Sequence, residues 1–277
     1  MKFRLDRMVS LGAARFTSSR RRAPSPGRLP ILMYHGINDR LGTRHPYFEL
    51  NTSVAVFRDQ LQTLSARGYR TVNLEGPLSL TASEDATADR KVAITFDDGF
   101  ADFYDNALPI LAEFGFAAIV YVVTSFTKDQ RLSKDGATFM SWPEVRELPR
   151  YGVRVGSHTV SHCKLYKMSR QQASEEVRCS KETLENKLGA PVTSFAYPYA
   201  FPEHDKEYVA FIRECLQMYG YENAVSTIIG TVGMQNDPYR LPRLPVNTFD
   251  DDALLHAKLD GGYEWLHALQ YAKKLIR

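Results

Sequence analysis

Cysteine is scarce: Cys163, Cys179 and Cys215 are the only three in 277 residues. An odd number without C-x-x-C spacing excludes a disulfide framework and a cysteine-based zinc site, and it suits a reducing compartment. No apolar run nears the roughly 18 residues that a membrane-spanning helix needs. Neither G-x-G-x-x-G nor G-x-x-x-x-G-K occurs, so dinucleotide and P-loop sites have no support. Acid is short in one place. Residues 1–28 carry eight basic residues against Asp6 alone, a local charge of +7. The other 27 basic and 31 acidic residues sum to −4, which speaks against nucleic acid as a partner of the body.

The basic head holds only "MVSLGAA" as an apolar stretch, too slight for a secretory signal, so the expectation is a cytoplasmic protein. Its Arg-rich, acid-poor composition is also that of an organelle transit peptide. The reading adopted is a solvated, disordered segment over 1–28, ending in a Pro/Gly linker at Pro24–Pro30, whose charge could meet an anionic membrane surface peripherally. Residues 29–277 form the second unit, a single catalytic domain.

From residue 30 short apolar runs alternate with helical periodicity. "PILMYH", "YRTVNL", "KVAITF", "FAAIVYVV", "VRVGSH", "VTSFAYP", "ENAVST" and "RLPVN" read as strands. Val54, Phe57, Leu61 and Leu64 recur at helical spacing, and Gly68 is placed to stop that helix. A helix is expected over 104–114, and a polar loop over Thr81–Arg90. Ser141 with Glu144, and Ser169 with Gln172, are capping boxes that open two more. Glu175, Glu176 and Lys181 read as the solvated face of the second. Helices around 250–258 and 261–276 close the chain. About seven strand–helix alternations point to an α/β parallel sheet, and at this length to a barrel.

In such a barrel the active site lies at the carboxyl ends of the strands. There the sequence places His35, Asp97 with Asp98, His158 and His162, Tyr197 and Tyr199, and Arg243. Adjacent aspartates repel each other and are costly to desolvate. A dication would reconcile them, one carboxylate ligating and the other free as a base. His158 and His162, four apart, would share one face of a helical turn. Two imidazoles and a carboxylate make a three-ligand site suited to catalytic zinc, and open also to nickel, cobalt, manganese or iron.

"TFDDG" followed by "SHTVSH" resembles the polysaccharide deacetylase family, the NodB-homology carbohydrate esterases of family 4 type. "ILMYHGI", "MSWPEV", "FAYPYA" and "LPRLPV" resemble its branch acting on poly-N-acetylglucosamine-type chains, and the resemblance spans roughly 29–247. It implies a distorted (β/α)7 barrel and metal-dependent hydrolysis of N-acetyl groups on a saccharide. It implies Asp97 as general base and Asp98, His158 and His162 as ligands. It also implies that the Tyr199 N–H steadies the oxyanion. Many members carry an arginine where this chain has Ala196; Arg243 could supply that guanidinium. Ala200 replaces a common glycine, and no Leu-x-His marks a general acid. His35 stands either as proton donor to the leaving amine or as a wall of the site. Tyr197 and Trp142 are readings for substrate contact, each with core packing as its rival. Deformylation of a sugar conjugate, hydrolysis of another amide or ester, and a non-catalytic saccharide-binding protein remain as alternatives.

Overall fold

The computed structural model describes residues 4–20, 28–40, 45–74 and 90–275. Its strands are β1 (Ile31–Tyr34), β2 (Tyr69–Thr71), β3 (Arg90–Phe96), β4 (Ala118–Val122), β5 (Leu132–Lys134), β6 (Ala137–Phe139), β7 (Val153–Ser157), β8 (Ser194–Ala196), β9 (Asn223–Ile229) and β10 (Leu241–Pro245). Its α-helices are α1 (Leu5–Arg20), α2 (Val54–Ala66), α3 (Leu108–Phe114), α4 (Trp142–Glu147), α5 (Arg170–Leu188), α6 (Lys206–Met218), α7 (Asp252–Leu259) and α8 (Trp265–Leu275).

Seven parallel strands close a ring in the order β1-β10-β9-β8-β7-β4-β3, with β1 returning to β3 in the register Ile31↔Ala93 to Tyr34↔Phe96. β2 adds to the amino-terminal half of β3, outside the ring. β1 and β4 are buried along their whole length, as strands covered on both faces must be. All eight strand runs of the sequence appear, and the architecture is the expected (β/α)7 barrel.

The helices form where the pattern and caps direct. Ser53 accepts from the Val56 N–H to open α2, which turns Phe57, Leu61 and Leu64 inward. Ser169 and Gln172 form the capping box of α5, and Gly189 ends it at φ 67. The expected 104–114 helix is a π-helical turn, Phe103–Ala107, running into α3. Beyond the head, two elements escaped the pattern. α6 buries Ile212, Cys215 and Leu216, but the interleaved charges of Lys206, Glu207, Arg213 and Glu214 obscure that stripe. The β5–β6 hairpin lies after β4 and is too short to show a period. The linker residues 24–27 and the polar-loop residues 81–89 lie outside the described residues, and Arg90 already belongs to β3.

The expectation of a disordered tail is corrected over Leu5–Arg20. α1 packs on α7, burying Asp6, Ser10 and Ala14. The head finds acid in the run Asp250–Asp252: Arg4 pairs with Asp6 and lies 3.6 Å from Asp250, and Arg7 meets Asp251 at 2.5 Å. Tyr263 donates to Asp6 and Trp265 to Ser10. A side chain at Gly262 would meet the Ser10 carbonyl at 2.9 Å, so α1 needs a glycine there to approach.

Candidate active site

β3 runs from a dry strand into Asp97, Asp98 and Gly99. Side chains on an extended strand alternate between faces. Asp98 breaks the alternation at φ 73, a left-handed conformation unusual outside glycine. Among the described residues five non-glycine positions have positive φ, and Asp98, Thr159, His162 and Tyr199 are four of them. Such strain collects where surrounding structure dictates backbone geometry.

Asp97 is 3% exposed and Arg243, on β10, is fully buried. Arg243 donates from Nη1 to Asp97 Oδ1 and from Nη2 to Oδ2, both at 2.7 Å. Its Nε donates to the Ser226 carbonyl, and Nη1 also reaches Thr95 Oγ1, whose hydroxyl donates to the Leu32 carbonyl. Burial pushes the Asp97 carboxyl up, but the Arg243 guanidinium together with His158 and His35 more than offsets it, so Asp97 lies below the usual carboxylate range. His35 Nε2 stands 3.9 Å from Asp97 Oδ2, and burial drives its pKa down against the pull of both aspartates.

Asp98 Oδ1 lies 3.4 Å from His158 Nε2 and 3.1 Å from His162 Nε2. His158 Nδ1 is 2.8 Å from the Ala196 carbonyl. A carbonyl only accepts, so Nδ1 bears the proton, and the neutral ring presents a lone pair at Nε2. Asp98 Oδ1 is buried and accepts no hydrogen bond. Burial opposes charge on both partners, yet Asp98 is held well below its ordinary range by the imidazoles and His158 is raised by the carboxylates. The cluster favours a positive charge at its centre. Ligand atoms of Asp98, His158 and His162 all fall within 4.8 Å of one another, and an oxygen with two imidazole nitrogens is a donor set that fits zinc.

The two histidines do not share a helical turn as expected. Residues 158–162 are a non-helical loop with Thr159 at φ 68 and His162 at φ 56. Side chains hold it. Thr159 Oγ1 accepts the His162 N–H, and the Glu176 carboxylate accepts the Val160 and Ser161 N–H groups and the Ser161 hydroxyl. The solvated-face reading is thereby corrected for Glu176, and for Lys181, which donates to the Val192 carbonyl. The sequence offered one signal for Glu176: a short loop with unpaired N–H groups precedes an acid on the next helix.

Tyr199 is 45% exposed and its ring lies 4.7 Å from that of His162. Its N–H bonds to no acceptor among the described residues. Tyr197 and Trp142 are corrected to core. Tyr197 is buried between Phe195 and Phe201 and donates to the Tyr239 carbonyl. Trp142 is buried at the start of α4 within the main hydrophobic cluster, so neither ring offers a face to a saccharide.

Residues 84–222 match the family model described as polysaccharide deacetylase. YxkH of Bacillus subtilis (strain 168), named for the same family, is 26% identical over 232 residues, covering 83% of this chain and 76% of its own. The poly-β-1,6-N-acetyl-D-glucosamine N-deacetylase of Staphylococcus aureus (strain N315) is 25% identical over 63% of this chain and 60% of its own length. Among solved structures, the Streptococcus pyogenes deacetylase PplD superposes with a TM-score of 0.70 over 85% of this chain and 99% of its own, at 24% identity, a likeness of fold.

Proposed function

The chain belongs to the polysaccharide deacetylase family, and from that premise we propose that it hydrolyses N-acetyl groups from an N-acetylated amino-sugar chain, of the poly-β-1,6-N-acetylglucosamine kind named for its staphylococcal relative. The observation that carries this reading is the division of labour between neighbouring aspartates: Asp98 faces two imidazoles, while Asp97 takes both Arg243 hydrogen bonds at the same strand end, with His35 beside it.

Asp98, His158 and His162 would hold a divalent cation, zinc by preference. Such an ion would supply Lewis acidity toward the amide carbonyl and the attacking water. Asp97 is the base. Its ionised state is secured by Arg243, and Oδ2, on the side of His35, retains a lone pair to accept a proton from water. His35, kept neutral by burial, relays that proton toward the departing amine. The Tyr199 N–H donates to the oxyanion.

The test is acetate release from β-1,6-linked N-acetylglucosamine oligomers by zinc-loaded protein, with formate release from formylated analogues as the rival readout. Acetate release that vanishes in Asp97→Asn, with zinc still bound, supports the proposal. Formate alone, or saccharide binding without turnover in the metal-replete protein, overturns it.

A peripheral contact of the head with an anionic membrane belongs to the same proposal. No described helix is long and apolar enough to cross a membrane. α1 nonetheless buries Asp6 and Ser10 while exposing Leu5, Met8 and Val9, which lie on one helical face. Sedimentation with phosphatidylglycerol vesicles but not with neutral ones, lost in Leu5→Gln/Met8→Gln/Val9→Gln, supports that contact; equal behaviour with both vesicles refutes it.

A further inference from the structure

We propose that Glu176 is a positioning residue for the ligand His162, acting as a carboxylate clamp on the loop between the two histidines. The inference rests on reading Asp98, His158 and His162 as a metal site.

The loop is held in a shape it would not adopt alone. Thr159 and His162 both have left-handed backbones, at φ 68 and φ 56, and neither is a glycine. A strained loop persists only when its surroundings over-determine it. Here several polar groups of the loop are held by neighbouring elements. The Thr159 carbonyl takes the Thr124 N–H, and the Val160 carbonyl takes the Ser125 N–H. Two of the three N–H groups between the histidines, those of Val160 and Ser161, donate to Glu176 Oε2 at 2.9 Å, and the Ser161 hydroxyl donates to Oε1 at 2.8 Å. Two converging N–H donors require an acceptor-only oxygen.

The clamp itself is anchored. Glu176 lies in the second turn of α5, beside buried Ala173 and Val177. Ser180 Oγ meets Ser157 Oγ at 2.6 Å, tying α5 to the last residue of β7, and Tyr221 donates to the Val177 carbonyl. Position therefore passes from β7 to α5, from α5 to the Glu176 carboxylate, and from it to the backbone that ends at His162. His158 needs no such help, being fixed by the Ala196 carbonyl. The His162 N–H donates to one side chain, Thr159 Oγ1, so its placement depends on the loop.

The experiment measures zinc affinity of purified, folded protein by competition with a chromophoric chelator. Groups that orient metal ligands typically contribute about 10- to 100-fold in metal affinity. Glu176→Ala is expected to lose affinity by about that factor. Glu176→Gln can keep its amide oxygen on the two N–H groups and turn its NH₂ to the Ser161 hydroxyl, so it should stay within about threefold of wild type. Wild-type affinity in Glu176→Ala overturns the proposal. An equal loss in Glu176→Gln also overturns it, because charge would then matter and the hydrogen-bond pattern would not. If Glu176→Ala does not fold, Glu176→Asp withdraws the carboxylate by one methylene with the charge kept. Loss of affinity there supports the clamp, and an unchanged value refutes it. Wild-type protein that binds no zinc would sink the metal-site reading itself, whereas wild-type and Glu176→Ala proteins binding alike would sink the clamp alone.

Discussion

Arg243 and Asp97 meet as a two-bonded pair inside the barrel: both Nη–Oδ distances are 2.7 Å, and the arginine is fully buried. Breaking a buried pair leaves an uncompensated charge, which costs about 3–5 kcal/mol. Arg243→Ala should therefore destabilise the fold by that order, read as a lower urea midpoint at pH 7.

The same pair sets a pH dependence. Asp97 has a folded pKa below its unfolded value of about 3.9. Its contribution to stability is complete above that unfolded value and is lost as pH falls through the folded one. In Arg243→Ala the largest opposition to burial is gone, leaving only His158 and His35 against it, and the Asp97 pKa rises. The acid limb of the kcat/KM profile should move to higher pH, and an unmoved limb would show that Arg243 does not govern the base.

Removing metal should silence the enzyme reversibly. Chelator-treated protein is expected to release no acetate, and zinc should restore turnover at about one ion per chain, the count for a single three-ligand site. Asp98→Asn and His162→Gln should each bind well below one equivalent, measured by metal analysis after gel filtration.

Trp142 separates packing from recognition. Trp142→Ala should cost about 3–5 kcal/mol of stability, as large-to-small changes in a core do. The KM of the folded fraction should not change. A KM rise of tenfold with unaltered stability would restore the indole to the substrate.

Lys258 donates to Asp250 Oδ2 at 2.6 Å, both side chains being buried, while Asp250 Oδ1 has no hydrogen bond. Lys258→Met should destabilise by about 3–5 kcal/mol, and adding Asp250→Asn should recover part of the loss by removing the stranded charge. A double-mutant cycle in urea checks the coupling.

Much of this was legible beforehand because strand ends are where chemistry collects in a barrel. "TFDDG", "SHTVSH" and "LPRLP" each place a charged or titratable group just after a dry run, and the structure brings Asp98, His158 and His162 together from two of them. The eye for periodicity failed where contacts are non-local. Nothing in "HTVSH" distinguishes a helical turn from a loop pinned by an acid fourteen positions past His162. Nothing in the basic head shows that Asp250 and Asp251, far along the chain, await Arg4 and Arg7. Trp142 and Tyr197 read alike as sugar platforms or as core, because an aromatic beside a strand end serves both until its exposure is known.

β1 is the seam of the ring, bonded to β10 on one side and to β3 on the other. The guanidinium and the base sit on those two flanking staves, so they touch only while the seam is shut. The cation ligands span β3 to β7 across β4, on the uninterrupted arc. Loosening of β1 would thus separate Asp97 from its counter-charge before it disturbs the grip on the ion, leaving a molecule that is loaded but idle.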